Sequence, residues 1–245
     1  MLRPDVSLDD QQGVYDFYLD HQQNLLLARL AYAALSARYR PRVSFAPGAE
    51  ESIRALLSDG TSLIIAANHL TDSDQYILAA TAWQTPLRSV IGRTRVLAKD
   101  ELFREPKLRK RIDMMGGIPV FRSKNHGLRA VSDAGRRMME ISAERVRRGD
   151  SLAIFPEGTC NMEDPARVQH VNSGIGHIAS RAGKLGATPA LLHLGISYGP
   201  ATATVKSASV HVGHPVTEIP AKPMEIARTV QRHLQETVDE ARRRY

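Results

Sequence analysis

Apolar residues recur at helical spacing early in the chain. Leu25, Ala28, Tyr32, Leu35 and Tyr39 follow one another at intervals of three and four, with Leu26, Leu30, Ala33 and Ala37 beside them. This pattern predicts one long helix over Tyr15 to Tyr39. Its wide apolar stripe has two readings, a helix docked on the rest of the protein or a face laid on a membrane. Pro41 and the cluster Ala46-Pro47-Gly48-Ala49 end the segment. Beyond it two periods alternate. Glu50 to Leu57 is spaced as a short helix, Asp59-Gly60 as a turn and Ser62 to Ala67 as a buried strand. Asp74 to Ala82 returns to helical spacing, Leu87 to Gly92 reads as the next strand, Glu101 to Met115 as helix and Gly117 to Phe121 as extended chain. Arg129 to Arg148 is a strong helix closed by Gly149-Asp150, and Ser151 to Phe155 is a third buried strand. A helix over Gly174 to Leu185, strands over Ala190 to Ser197 and Ala203 to Val212, and a charged helix over Pro223 to Arg244 follow.

Strands alternating with helices predict an α/β fold. The expectation is a central mixed, mostly parallel sheet flanked by helices, with an N-terminal helical segment. Residues 1–45 are expected to form that segment, packed on the core, and residues 46–245 the α/β domain with its C-terminal helix. No internal repeat or low-complexity segment breaks the pattern.

Composition narrows the class. With 42% hydrophobic and 24% charged residues over 245 positions, the chain has a globular balance, which excludes disordered, collagenous and coiled-coil proteins. A single cysteine, Cys160, excludes an internal disulfide framework and a Cys-rich zinc module. The net charge is +7, and only seven of the 33 bases are lysine. Arginine-rich basicity suits phosphate and carboxylate partners: nucleic acid, an acidic carrier, phosphorylated small molecules or a lipid surface. Solubility combined with arginine-favouring codon usage accounts for the same number. Aromatic residues are only 5% of the chain and no nucleic-acid module is recognisable, so nucleic acid is not an expected partner. Residues Met1 to Asp10 lack a basic region followed by an apolar run, and Leu25 to Leu35 is shorter than a bilayer span and carries Arg29. The expectation is a cytoplasmic protein, at most peripheral on the inner face of the membrane.

Three segments carry candidate chemistry. Asn68 to Asp74 follows the Leu63 strand, where ligands of α/β sheets bind. A histidine there, His69, can act as general base if a carboxylate on its other ring nitrogen fixes the tautomer. Asp72 and Asp74 are both candidates for that carboxylate. The competing reading is that Thr71, Asp72 or Ser73 caps the next helix and His69 is a turn residue. Gly116 to Arg122 combines two glycines, which let the backbone approach a ligand, with a guanidinium fork for phosphate. A glycine turn before a strand looks the same. Phe155-Pro156-Glu157-Gly158-Thr159, directly after a buried strand, holds a carboxylate and a glycine amide in a proline-fixed turn.

In this order and spacing the three segments resemble the glycerol-phosphate and lysophospholipid acyltransferase family. The family's histidine, four residues and aspartate fall on His69 and Asp74. Its glycine-rich Ile-Pro-Val block with an arginine falls on Gly117 to Arg122, and its Phe-Pro-Glu-Gly-Thr block stands unchanged at Phe155 to Thr159. Ala98 to Phe103 is similar to the stretch between the first two blocks, and the likeness covers roughly Ser62 to Ser197. The resemblance implies an acyltransferase that moves a fatty acyl group from acyl-CoA or acyl-carrier protein to a hydroxyl of a lysophospholipid such as 1-acylglycerol 3-phosphate. It implies His69 and Asp74 as the general-base pair and Arg122, Glu157, Gly158 and Thr159 as the acceptor-binding side. Neither a metal nor a cofactor is implied. Backbone N–H groups near the start of the Asp74 helix or around Gly158 are candidate oxyanion donors.

The chain departs from the pattern in three places. Cys160 stands where the family usually has arginine after the threonine, Phe121 where a polar residue often precedes the arginine, and Asn172-Ser173 where a lysine usually opens the next helix. Fewer bases near the acceptor put a glycerol-phosphate headgroup in question without touching acyl transfer. A non-glycerolipid alcohol or amine acceptor, or a catalytically silent lipid- or carrier-binding protein, are the alternatives. Gly195 to Gly199 matches a nucleophile elbow at Ser197, but Pro200 and a strand follow where a helix is needed. Gly174 to Ala179 has the glycine spacing of a dinucleotide loop without its strand or acidic partner. His211 and His214 lack partners for zinc. Cys160 lacks an evident base, which argues against a nucleophile. The arginines from Arg136 to Arg148 read as a solvated face that an acidic carrier or lipid headgroups could use.

Overall fold

The computed structural model describes residues 3–199 and 208–245. The N-terminal stripe is divided into two helices, α1 (Gln11–Asp20) and α2 (Leu25–Tyr39). Apolar periodicity runs through the break, but Asn24 is extended and its side chain accepts from Leu27 N at 3.0 Å, capping a new helix. Strand β1 (Arg42–Phe45) comes next, then α3 (Ala49–Ser58), β2 (Leu63–Ala67) and α4 (Asp74–Gln84). Because β1 belongs to the sheet, the helical N-terminal segment ends at Tyr39, short of the expected boundary at residue 45.

The strand expected over Leu87 to Gly92 is instead a 3₁₀ turn, Pro86–Val90. Leu87 and Val90 are three apart and both buried, so the apolar run is helically spaced, and the strand itself, β3 (Thr94–Lys99), starts beyond the turn at Gly92. Helix α5 (Pro106–Met114) begins later than expected, because Asp100–Phe103 forms a separate 3₁₀ turn and Pro106 sets the first helical position. The remaining elements are β4 (Gly117–Val120), α6 (Ser123–His126), α7 (Leu128–Arg147), β5 (Ser151–Ile154), α8 (Gly174–Lys184), β6 (Ala190–Ser197), β7 (Ser209–Val212) and α9 (Pro223–Arg243). The part of the last expected strand before Ala208 lies outside the described residues.

The strands form one sheet in the order β1-β7-β6-β2-β5-β3-β4. Every pairing is parallel except β6 with β7. Five adjacent strands, β6, β2, β5, β3 and β4, therefore point the same way and open their carboxyl ends on one edge. Alternation along β2 splits the core. Ile64 and Ala66 pack with Ile141 of α7, Ile178 of α8 and Val230 of α9, whereas Leu63, Ile65 and Ala67 pack with Ile53 of α3 and Ile77 of α4. Helices on both faces explain why β2 is an unbroken apolar run and why β2 and β6 are buried at every position.

Arginines of α7 and its C-cap residue Arg148 hold α1 in place. Arg137 meets Asp16 at 2.6 Å and Arg148 meets Asp20 at 2.9 Å. Arg145 is buried, donates to Leu19 O at 2.8 Å and shares the Asp150 carboxylate with buried Arg95, at 2.6 and 2.7 Å from their Nε atoms. The basic face expected to be solvated is thus in large part a docking surface for α1. The glycines of the second block also serve packing. A Cβ on Gly116 would stand 2.3 Å from Thr94 O, and one on Gly117 would stand 2.2 Å from the Ile112 side chain, so they admit neighbouring chain rather than a ligand.

Candidate active site

The carboxyl end of β2 is stitched to β6 before any chemistry begins. Asn68 Nδ2 donates to Ile196 O at 3.0 Å, and Ile196 N donates back to Asn68 Oδ1 at 2.7 Å. The chain then turns, and His69 faces three neighbours. Its Nδ1 lies 2.9 Å from Asp74 Oδ2, its Nε2 lies 3.3 Å from Cys160 Sγ, and its ring stacks on Phe155 at 4.2 Å between centroids. The residue is 7% exposed.

Asp74 opens α4 and folds back over the loop. Its Oδ2 accepts from Leu70 N at 2.5 Å and Thr71 N at 2.9 Å as well as facing His69, while Oδ1 accepts from Thr71 Oγ1 at 3.1 Å and Tyr198 OH at 2.6 Å. Five contacts leave this fully buried carboxylate one orientation. Of the two candidate partners for the histidine, Asp74 holds Nδ1; Asp72 points outward, 3.7 Å from Lys99 Nζ. Ser73 occupies the N-cap position of α4 without a side-chain cap bond, so the loop is held by Asp74 itself.

The segment after β5 completes the frame. Glu157 is 4% exposed, and its two oxygens accept from His69 N and Gln169 N, each at 2.8 Å. Burial pushes its carboxyl up and those two amides pull it down, the burial prevailing. Glu157, expected on the acceptor-binding side, turns its carboxylate inward and braces the His69 loop against the segment before α8. Gly158 adopts φ +75°, with Asn172 Nδ2 donating to the neighbouring Pro156 and Glu157 carbonyls at 3.2 and 3.0 Å. Gly158 and Thr159 themselves are exposed beside the histidine.

Arg122, at the end of β4, is three strand positions from β2, about 14 Å across the sheet. It donates to Glu101 Oε1 at 2.6 Å. Burial raises the Glu101 carboxyl, but hydrogen bonds from Arg122 and Asn125 hold it below the usual range. Candidate oxyanion donors are also narrowed. The N–H groups of Leu70, Thr71, Ser73 and Asp74 all bond to Asp74 or Thr71 oxygens, and Gly158 N bonds to Phe155 O at 3.0 Å. Those positions are occupied.

Two residues escaped the sequence reasoning. Tyr198 sits inside the segment examined for Ser197, at the carboxyl end of β6, and its hydroxyl is raised well above its ordinary pKa by burial and by Asp74. Cys160, taken to lack a base, lies within hydrogen-bond distance of one. Their partners are 124 and 91 residues away, so local pattern could not pair them. Ser197 is buried with Oγ accepting from Gly199 N at 3.3 Å; residues 200–207, where an elbow's helix would start, lie outside the described residues. Gly176 is a packing glycine, since a Cβ there would meet Pro223 O at 2.0 Å.

A histidine fixed by a buried aspartate at the open end of a parallel sheet is a framework for proton transfer at a bound hydroxyl. The family model described as Acyltransferase matches residues 48–197, and the chain belongs to that family. Among solved structures it is similar to the crystal structure of the 1-acyl-sn-glycerophosphate (LPA) acyltransferase PlsC from Thermotoga maritima. The two share 15% identity with a TM-score of 0.60, over 94% of this chain and 82% of that one. No curated protein matches the chain in sequence.

Proposed function

We propose that the protein transfers a fatty acyl group from an acyl thioester, acyl-CoA or acyl-carrier protein, to a hydroxyl of a lysophospholipid such as 1-acylglycerol 3-phosphate. The observation that carries this reading is the 2.9 Å contact of His69 Nδ1 with fully buried Asp74. With its proton on Nδ1 toward the carboxylate, the imidazole keeps a lone pair on Nε2, the atom facing the Gly158 to Cys160 side. There it takes the proton of the acceptor hydroxyl as the oxygen attacks the thioester carbonyl, and the donor thiolate leaves. Asp74 stabilises the resulting imidazolium. Glu157 holds the His69 backbone and Tyr198 the aspartate, both as positioning residues. The similarity to PlsC supports the lysophospholipid acceptor. A non-glycerolipid alcohol or amine is the second reading, favoured by the pairing of Arg122 with Glu101 and by Cys160 where the family usually has arginine.

Leu25, Leu26, Leu27 and Leu30 are between 51% and 68% exposed at the start of α2. No described helix is long and apolar enough to cross a membrane. These leucines suit peripheral contact with the bilayer that would hold the acceptor. Replacing Leu26 and Leu30 by aspartate is expected to abolish flotation with anionic liposomes; unchanged flotation would remove the contact.

The test of the reaction is a mass-spectrometric transfer assay pairing both donor types with lysolipids, glycerol 3-phosphate and non-lipid alcohols and amines. Wild-type product from a lysolipid should fall about 10²–10⁴-fold in His69→Ala. Product formed only from a non-lipid acceptor would select the second reading. No turnover of any donor would leave a silent binding protein.

A further inference from the structure

The atoms around His69 Nε2 form a second arrangement that acyl transfer does not use. Cys160 Sγ is 3.3 Å from Nε2 and 3.8 Å from Asp72 Oδ1, and all three donor atoms lie within 4.8 Å of one another. Zinc binds thiolate at about 2.3 Å and imidazole or carboxylate at about 2.0–2.2 Å, so tetrahedral ligands stand roughly 3.3–3.8 Å apart. Two of the three separations need little change. The third depends on Asp72, whose side chain is 88% exposed and free to turn inward, giving up only a long surface contact with Lys99.

The histidine is already prepared as a ligand. Metal-bound imidazoles donate their other ring N–H to a carboxylate, which fixes the tautomer and raises ligand basicity. Asp74 stands in that place at 2.9 Å, held by four further donors. The thiol is the soft member of the set and selects zinc-like ions over magnesium or calcium.

We infer that His69 Nε2, Cys160 Sγ and Asp72 form a binding site for a thiophilic divalent cation such as Zn²⁺, with water completing the tetrahedron. Binding replaces the thiol proton with the metal and releases that proton to solvent. The occupied site caps Nε2, the atom that takes the acceptor's proton, so the ion switches transfer off; this consequence rests on the function proposed above.

The experiment titrates the full chain, freed of metal by chelator, with Co²⁺ and then Zn²⁺, following the thiolate-to-cobalt charge-transfer absorption. Expected is one Co²⁺ per chain with that band, displaced by Zn²⁺. Cys160→Ser should abolish the band and weaken Zn²⁺ binding at least tenfold, and Asp72→Asn should weaken it less. Transfer by the wild type should be inhibited over the Zn²⁺ range that fills the site, and transfer by Cys160→Ser only at tenfold higher concentration. Absence of the band, or equal Zn²⁺ affinity in Cys160→Ser, overturns the site. A filled site that leaves transfer unchanged overturns the switch. A metal-binding protein that transfers no acyl group in any condition keeps the site and removes the proposed reaction instead.

Discussion

The carboxyl edge of the sheet has two halves built on different rules. In the loops that follow β2 and β5, three inward-facing polar side chains are matched: Asn68 by Ile196, Glu157 by two amides, Asp74 by five contacts. Around β3 and β4 the matching is incomplete. Asp100 Oδ1, Glu101 Oε2 and Arg122 Nε are buried without a partner among the described residues. A fully satisfied network is rigid and holds one geometry, as a proton-transfer pair requires. Unmatched polar atoms retain capacity for a ligand. Under the proposed reaction, the first half orients the base, and the second is where the acceptor's polar head is expected to bind.

Glu157→Gln tests the first half most severely. The new NH₂ faces one of two N–H donors, which leaves a buried donor unmatched at a cost of about 1–3 kcal/mol. If that shifts the His69 backbone, kcat falls about tenfold to a hundredfold with little change in acceptor KM. A rise in KM with kcat preserved would return Glu157 to the acceptor. Arg122→Ala should do the reverse, raising KM for a phosphorylated acceptor about tenfold, the scale of one charged hydrogen bond, while kcat holds. Equal effects on phosphorylated and neutral acceptors would break the division into halves.

The smallest effect on activity is expected away from both. His193, on β6 with its ring 5.2 Å from that of His233, has a pKa lowered by burial to about 3. It stays neutral when folded, whereas the unfolded chain takes up its proton near the ordinary value of 6.5. Its contribution is therefore complete above pH 6.5 and lost as pH falls from there toward about 3. His193→Leu should flatten the fall of Tm with acid and leave transfer at neutral pH unchanged. An unaltered acid profile would mean that other groups set it.

How much of this was legible depended on the distance over which residues act. Helices α7 and α9 and strands β2 and β6 are long or uniformly apolar and declare themselves locally. The break before α2 was hidden because a helical period continued across a capping asparagine. Strand β1 is four residues, half polar, and exists because β7, more than 160 residues on, supplies its partner. The site divides in the same way. His69 and Asp74 are five apart, within the reach of one loop, whereas the inward turn of Glu157, the Arg122–Glu101 pair and the approach of Cys160 arise only when separate strand ends are brought together.

The buried trio of Asp150, Arg95 and Arg145 constrains which related sequences this chain can reach by single steps. Exchanging the acid alone strands two guanidinium groups away from water, a loss on the order of 3–5 kcal/mol, comparable to the whole stability of a marginal domain. Changing either arginine first leaves the remaining ion pair intact but releases a strand or the carbonyl of Leu19. Substitution at these positions is thus ordered: a lineage that loses the trio must part with an arginine before the aspartate, and descendants should keep all three or hold the acid longest.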